Sequence, residues 1–167
     1  MKSAARPFSD EYAPQVMGIF NYYIENSFAA FPEQPLPVEA FGMMKNMSKD
    51  LPARVLVDED DGGRCIGFGF LKAYNPMPAF RKTAAITCFI DRDCTGKGLG
   101  RNLLSILEAE AREKGITSIL AEISSENPGS LRFHGANGFR ECGRFAGIGM
   151  KKGKTFDVIW MQKILAG

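Results

Sequence analysis

Three observations predict a mixed α/β (α+β) fold, with a mainly antiparallel central sheet flanked by helices on both faces. Runs with strand character alternate with runs of helical spacing in the order β-α-α-β-β-β-α-β-α-β-β. Two pairs of strand-like runs are joined by short turns, 59–63 and 151–153, and read as hairpins. Between them, the run Thr83–Ile90 leads through a glycine-rich turn into a strongly amphipathic helix. With 167 residues, 45% of them apolar, the chain is long enough for one well-buried core and too short for two ordinary ones, so a single domain over 1–167 is expected.

Taken in order, Ala4–Pro7 is a short first strand. Ser9 and the acidic pair Asp10-Glu11 open a helix to about Glu25, in which Val16, Ile19, Phe20, Tyr23 and Ile24 recur at helical spacing. Phe28–Pro37 is a loop rich in aromatics and proline, and a second helix begins near Val38 with Phe41, Met44 and either Met47 or Leu51 on its buried side. Arg54–Asp58 and Cys65–Tyr74 are strands, and Thr83–Ile90 is the central one. In the next helix Leu99, Leu103, Leu104, Leu107 and Ala111 share a face, Glu108/Arg112 and Glu110/Lys114 are supporting pairs, and Gly115 is the stop. Ser118–Ile123 is a strand. Asn127 and Pro128 supply a cap and a first-turn proline for a short helix ending near Asn137-Gly138. Phe139–Met150 and Thr155–Ile164 close the chain.

Net charge is +2, from 21 basic and 19 acidic residues without a basic run, which argues against nucleic acid or an anionic membrane and for a small ligand. The four cysteines at 65, 88, 94 and 142 lack metal-type spacing, so no metal and a reduced, cytoplasmic setting are expected. No run approaches membrane-spanning length or reads as a leader.

The turn reads Thr95-Gly96-Lys97-Gly98-Leu99-Gly100-Arg101. Alternate glycines let consecutive N–H groups face outward, and the helix that follows adds the positive end of its dipole, a combination suited to a pyrophosphate. It is not a Walker A loop, because Asp91 and Leu99 stand where Gly and Ser/Thr are needed, nor a dinucleotide fingerprint, because Arg101 replaces the third glycine. A turn whose glycines serve geometry alone is the competing reading.

This turn resembles the Arg/Gln-x-x-Gly-x-Gly/Ala loop of the GNAT N-acetyltransferases, with Thr95 in place of the first residue. Asn127-Pro128-Gly129-Ser130-Leu131-Arg132-Phe133-His134, continuing to Gly138-Phe139, is similar to that family's Asn-x-x-Ser/Ala-x-x-Leu-Tyr/His-x-x-x-Gly-Phe element. Asn21–Ser27 with Phe31 and Pro35, and Asp157–Lys163, look like the phosphinothricin acetyltransferase branch; Ala30 replaces its usual Thr, and Ala85 replaces a Glu that is a proposed base there. The resemblance implies acetyl-CoA as co-substrate, with Cys88, Phe89, Ile90, Thr95, Gly96, Lys97, Gly98, Leu99, Gly100, Arg101, Asn127 and Ser130 as its contacts. It implies acetyl transfer to the primary amine of a small molecule, an amino acid or an analogue such as phosphinothricin or methionine sulfoximine, and a homodimer. The alternative is an acyl-CoA-binding module that has lost catalysis.

Within that frame, a backbone N–H near Ile90 would polarise the thioester carbonyl. His134, the only histidine, can donate a proton to the departing thiolate or remove one from the ammonium; a packed or solvated histidine is the plain alternative. Glu122 is a second candidate base, competing with an ordinary cross-strand pair. Tyr22, Phe31 and Phe80, with Tyr23, are candidate walls of the amine pocket, although aromatics at helical spacing more often belong to the core. Charge alone leaves a polyamine, an aminoglycoside or a protein N-terminus open as acceptors.

Overall fold

The computed structural model describes residues 1–165. Its elements are β1 (Ser3–Pro7), α1 (Ala13–Asn26), α2 (Ala40–Met47), β2 (Ala53–Asp58), β3 (Arg64–Ala73), β4 (Thr83–Ile90), α3 (Leu99–Glu113), β5 (Ser118–Ser124), α4 (Pro128–Ala136), β6 (Arg140–Lys151) and β7 (Lys154–Ile164). The strands form one seven-stranded sheet in the order β1-β2-β3-β4-β5-β7-β6. Each neighbouring pair is antiparallel except β4–β5. The predicted fold class and element order stand.

One face of the sheet is covered by α1 and α2, where Val16, Ile19, Phe41 and Met44 meet Phe68 and Phe70 of β3. The other is covered by α3 and α4. There Leu99, Leu103 and Leu107 lie on Leu56 and Ile66, while Leu104 and Ala111 share a second cluster with Ile119, Ile123 and the α4 residues Leu131 and Phe133. Each fully buried Leu or Ile contributes about 1.5–3 kcal/mol, so the amphipathic spacing of α3 suffices to seat it.

Local details differ from expectation for physical reasons. The segment after Ser9 begins as a 3-10 turn, Asp10–Tyr12, and becomes α-helical at Ala13, where Pro14 suits the first turn. The Ser9 hydroxyl does not cap; it donates to Glu11 Oε1 at 2.9 Å. Val38 is exposed and α2 starts at Ala40. Met47 is exposed as well, and Leu51 packs against the core in its stead. Glu110 pairs not with Lys114 but with Arg54, Nε to Oε1 2.9 Å, because β2 runs beside that face of α3. Glu108 is buried and accepts from Lys163 Nζ at 2.6 Å, with Arg112 farther off at 3.9 Å.

Candidate active site

The site begins where the sheet opens. β4 and β5 are paired only through Thr83–Ser118, Ala84–Ile119 and Ala85–Leu120. Beyond that point β4 stays with β3 as far as Ile90 and β5 stays with β7 as far as Ser124, while the ladder between the two parallel strands has ended and they part. Thr83 O accepts from Tyr74 and the Asp91 N–H donates to Ile66 O, so odd-numbered residues of β4 turn their backbone groups to β3. By alternation, the N–H groups of Cys88 and Ile90, past the last paired position Ala85–Leu120, point into the gap. The Ile90 carbonyl is held there by the Tyr23 hydroxyl, which donates to it at 2.6 Å. Burial, aided by Tyr22, Asp91 and Cys88, raises the Tyr23 pKa and keeps it a donor.

The gap leads into a cavity of about 450 Å³ that brings together Phe31, Cys88, Phe89, Ile90, Glu122, Asn127, Ser130 and His134, residues far apart in sequence. Tyr22 and Phe80 do not join them. Residues 22 and 23 lie about 100° apart on a helix, and here Tyr23 faces the cavity while Tyr22 lies under the Arg92 guanidinium, 4.6 Å from ring centroid to Cζ, beside a separate hollow. Phe80 lies in the 3-10 turn Pro78–Phe80, packed edge-on against Tyr74 at 5.7 Å. Sequence reasoning missed Lys72 of β3 and Met43 of α2, which both line the cavity. For Met43 the available signal was an apolar residue lying off the helix stripe of Phe41 and Met44.

His134 is buried on α4, edge-on to Phe133 and Phe139. Its Nδ1 lies 2.8 Å from Ser130 O and 3.2 Å from Ser130 Oγ. A carbonyl only accepts, so Nδ1 carries the hydrogen and Nε2 keeps its lone pair, on a residue that lines the cavity. Burial lowers the His134 pKa, opposed by the bond to Ser130, so the neutral ring is favoured. A neutral ring with this tautomer accepts a proton at Nε2 and has none there to give. Glu122 is exposed and stands opposite Trp160 on β7, so no cross-strand cation accounts for it. Burial pushes the Cys88 thiol up to about 12, which leaves it un-ionised.

At the end of β4 the chain makes the 3-10 turn Arg92–Cys94 and enters α3 through Gly96 and Gly98, at φ 75° and 79°. Both lie in the left-handed region, and the space where each would carry a Cβ is open. The Asn102 N–H, bonded to Gly98 O at 3.1 Å, closes the first α-helical bond, leaving the preceding N–H groups of the turn for an anion. Gly100 has a different duty: a Cβ there would meet Phe133 at 3.1 Å, so it lets α3 approach α4. Leu99 is buried and offers a ligand only its backbone. The Thr95 hydroxyl turns back to Arg92 O, Lys97 Nζ reaches Asp93 O, and Arg101 Nε reaches Asn137 Oδ1 at 3.3 Å. Asn127 Oδ1 caps α4 through the Ser130 N–H at 3.2 Å, as its place before Pro128 predicted, and its amide group lines the cavity.

Residues 17–139 match the Acetyltransferase (GNAT) family, a span that holds the cradle, the open strands and His134. The chain belongs to the GNAT acetyltransferases. This acetyltransferase is 31% identical over 163 residues to phosphinothricin N-acetyltransferase of Alcaligenes faecalis, covering 96% of its own length and 81% of the relative's. It is 29% identical over 149 residues to the L-methionine sulfoximine/L-methionine sulfone acetyltransferase of Pseudomonas aeruginosa, 89% and 87% of the two chains. Among solved structures it superposes on a GNAT superfamily phosphinothricin acetyltransferase from Sinorhizobium meliloti, in complex with AcCoA, with a TM-score of 0.91 and 25% identity over 99% and 90% of the chains. The family expected from the glycine turn and the Asn127–Phe139 element, and the branch expected from Asn21–Ser27 and Asp157–Lys163, therefore hold for this acetyltransferase. Among its described residues no group of three His, Cys, Asp or Glu could hold a metal ion, and no helix is long and apolar enough to cross a membrane.

Proposed function

We propose that the chain transfers the acetyl group of acetyl-CoA to the primary amine of a small amino-acid-like molecule by direct attack. One observation carries the reading: the gap between β4 and β5 opens outward-facing N–H groups, the free nitrogen of His134 and the Glu122 carboxylate into a single cavity. The left-handed glycines of the cradle and the open space before them fit a pyrophosphate. Bound acetyl-CoA supplies an activated acetyl group with a thiol as leaving group.

The chain's own residues do the rest. Gly96–Arg101 bind phosphate through backbone N–H groups, with Lys97 and Arg101 adding charge. The Asn127 amide and the Ser130 hydroxyl line the pantetheine path. The N–H groups of Cys88 and Ile90 face the acyl oxygen and stabilise the charge that develops on it. Glu122 attracts the incoming ammonium, and His134 Nε2 removes its proton, directly or through a water, to free the lone pair. The un-ionised Cys88 thiol supports direct attack over a covalent acyl-enzyme. A homodimer, a cytoplasmic setting and a single domain belong to the same proposal; the one continuous sheet supports the last.

Calorimetry with acetyl-CoA, together with thiol release across an amine panel that includes phosphinothricin and methionine sulfoximine, tests the reading. Binding together with thiol release on adding an amino-acid-like amine is the expected result. Tight binding with no release on any amine would instead mark an acyl-CoA-binding module.

A further inference from the structure

The cavity carries two charges that no described residue neutralises. Lys72 of β3 and Glu122 of β5 both line it, and neither makes an ion pair or a side-chain hydrogen bond among the described residues. Strand register places them. Lys72 stands opposite Ala85, and Ala85 stands beside Leu120, so Lys72, Ala85, Leu120 and Glu122 share one face of the sheet. A strand spacing of about 4.8 Å and a rise of about 3.3 Å per residue put the Lys72 and Glu122 backbones roughly 12 Å apart. No ion pair joins the two side chains, and each is long enough to reach a molecule lying over Ala85. Around them the walls are apolar: Phe31, Met43, Met44, Phe70 and Phe89. A half-buried cation in such a wall has lost part of its hydration, and an anion brought by a ligand restores the balance.

The complementary ligand has an anion and an amine a few atoms apart and an apolar tail. We propose that Lys72 is the residue that selects among amine acceptors, by pairing with the carboxylate of an amino-acid substrate. The substrate's ammonium turns towards Glu122 and His134 Nε2, and its side chain lies against Met43 and Met44. A polyamine would meet Lys72 as a like charge, and a protein N-terminus brings no carboxylate to that distance. The inference rests on the cavity being the amine site of an acetyltransferase, as proposed above.

The test uses the full chain and thiol release from acetyl-CoA, with L-methionine, L-phenylalanine and L-leucine each set beside its carboxamide. The amide keeps the amine and the side chain and lacks the negative charge. Its amine is also the easier to deprotonate, so a preference for the acid cannot come from amine basicity. Wild type is expected to favour the free acid in kcat/KM. Lys72→Met should cut that preference about 10- to 100-fold, chiefly through KM of the acid, and Lys72→Arg should keep most of it. A merely structural role would lower acid and amide together and leave their ratio unchanged. The inference is overturned by a wild type that acetylates amides as readily as acids, by one active only on polyamines such as spermidine, or by an unchanged ratio in Lys72→Met. The wild-type comparison needs no variant, so it decides even if a substitution misfolds. Failure of acetyl-CoA to bind in calorimetry would be the separate failure of the acetyltransferase reading, and would take the inference with it.

Discussion

His134 carries its proton on Nδ1, the nitrogen bonded to Ser130 O, because a carbonyl can only accept. That single bond favours the role of base over that of acid, a choice its position in the motif left open. Replacing the ring with Phe should lower kcat by roughly 10²- to 10⁴-fold while costing about 1 kcal/mol of stability for the lost hydrogen bond. His134→Tyr should recover less than an acid role would allow, since a phenol near pKa 10 is a poor acceptor at neutral pH. Steady-state kinetics of the two variants decides this; wild-type turnover by the Phe variant would move proton transfer to Glu122 or to water. The depressed pKa adds a pH test. Because the folded value lies below the unfolded one, of about 6.5, the neutral ring contributes stability that is present above that pH and lost as pH falls through the folded value. Wild type should therefore lose melting temperature relative to His134→Phe between about pH 7 and pH 5, and its kcat/KM should keep its base-form plateau below pH 6.5.

At the scale of elements, the cradle is a strand end, a turn and a helix start, and in the proposed function its backbone conformation does the binding. Gly98 is left-handed at φ 79°, caps α3 and has nothing within 4 Å of a would-be Cβ. Aspartate tolerates that conformation at a cost of about 1–2 kcal/mol, partly offset by the 0.3–1 kcal/mol that a carboxylate gains at a helix N-terminus. Gly98→Asp should thus fold with a stability within about 1–2 kcal/mol of wild type, yet lose acetyl-CoA affinity by at least about tenfold as carboxylate meets phosphate. Thermal melts beside calorimetry check both halves. If the glycines served turn geometry alone, stability would fall with no selective loss of binding.

Across the whole molecule, the C-terminal hairpin holds the loop that lines the cavity in place. Lys151, the last residue of β6 and fully buried, sends its Nζ back to Ser27 O and Ala30 O, each at 2.7 Å. Phe156 of β7 stacks on Phe31 at 5.9 Å and meets Phe28 edge-on at 5.7 Å. The loop that supplies Phe31 to the cavity is thereby tied to strands more than a hundred residues later. Lys151→Met would leave two buried carbonyls without their donor, at a cost of about 2–4 kcal/mol by denaturant titration. It should raise KM for the amine more than for acetyl-CoA, because the loop borders the amine side. A single unfolding transition, with a midpoint that rises with acetyl-CoA concentration, is expected of one domain whose binding is linked to folding.

Much of this molecule is written locally. The central strand Thr83–Ile90, the cap Asn127 with Pro128, the left-handed glycines and the apolar stripe of α3 each depend on residues within a turn or two, so periodicity and cap chemistry were enough to read them. The family motifs are legible for the same reason, since each is a short contiguous stretch. What local signals do not encode is which strand lies beside which, and which face of an element meets the cavity. Tyr23 rather than Tyr22 lines it, Phe80 is drawn off to Tyr74, and Lys72 comes to face Ala85 from a strand that nothing in its own neighbourhood marks as functional. The parting of β4 from β5 is the clearest case. β4 keeps its pairing with β3 to Ile90 and β5 its pairing with β7 to Ser124, while the β4–β5 ladder ends at Ala85–Leu120; these registers join segments dozens of residues apart, so no local signal records the gap that forms the candidate site.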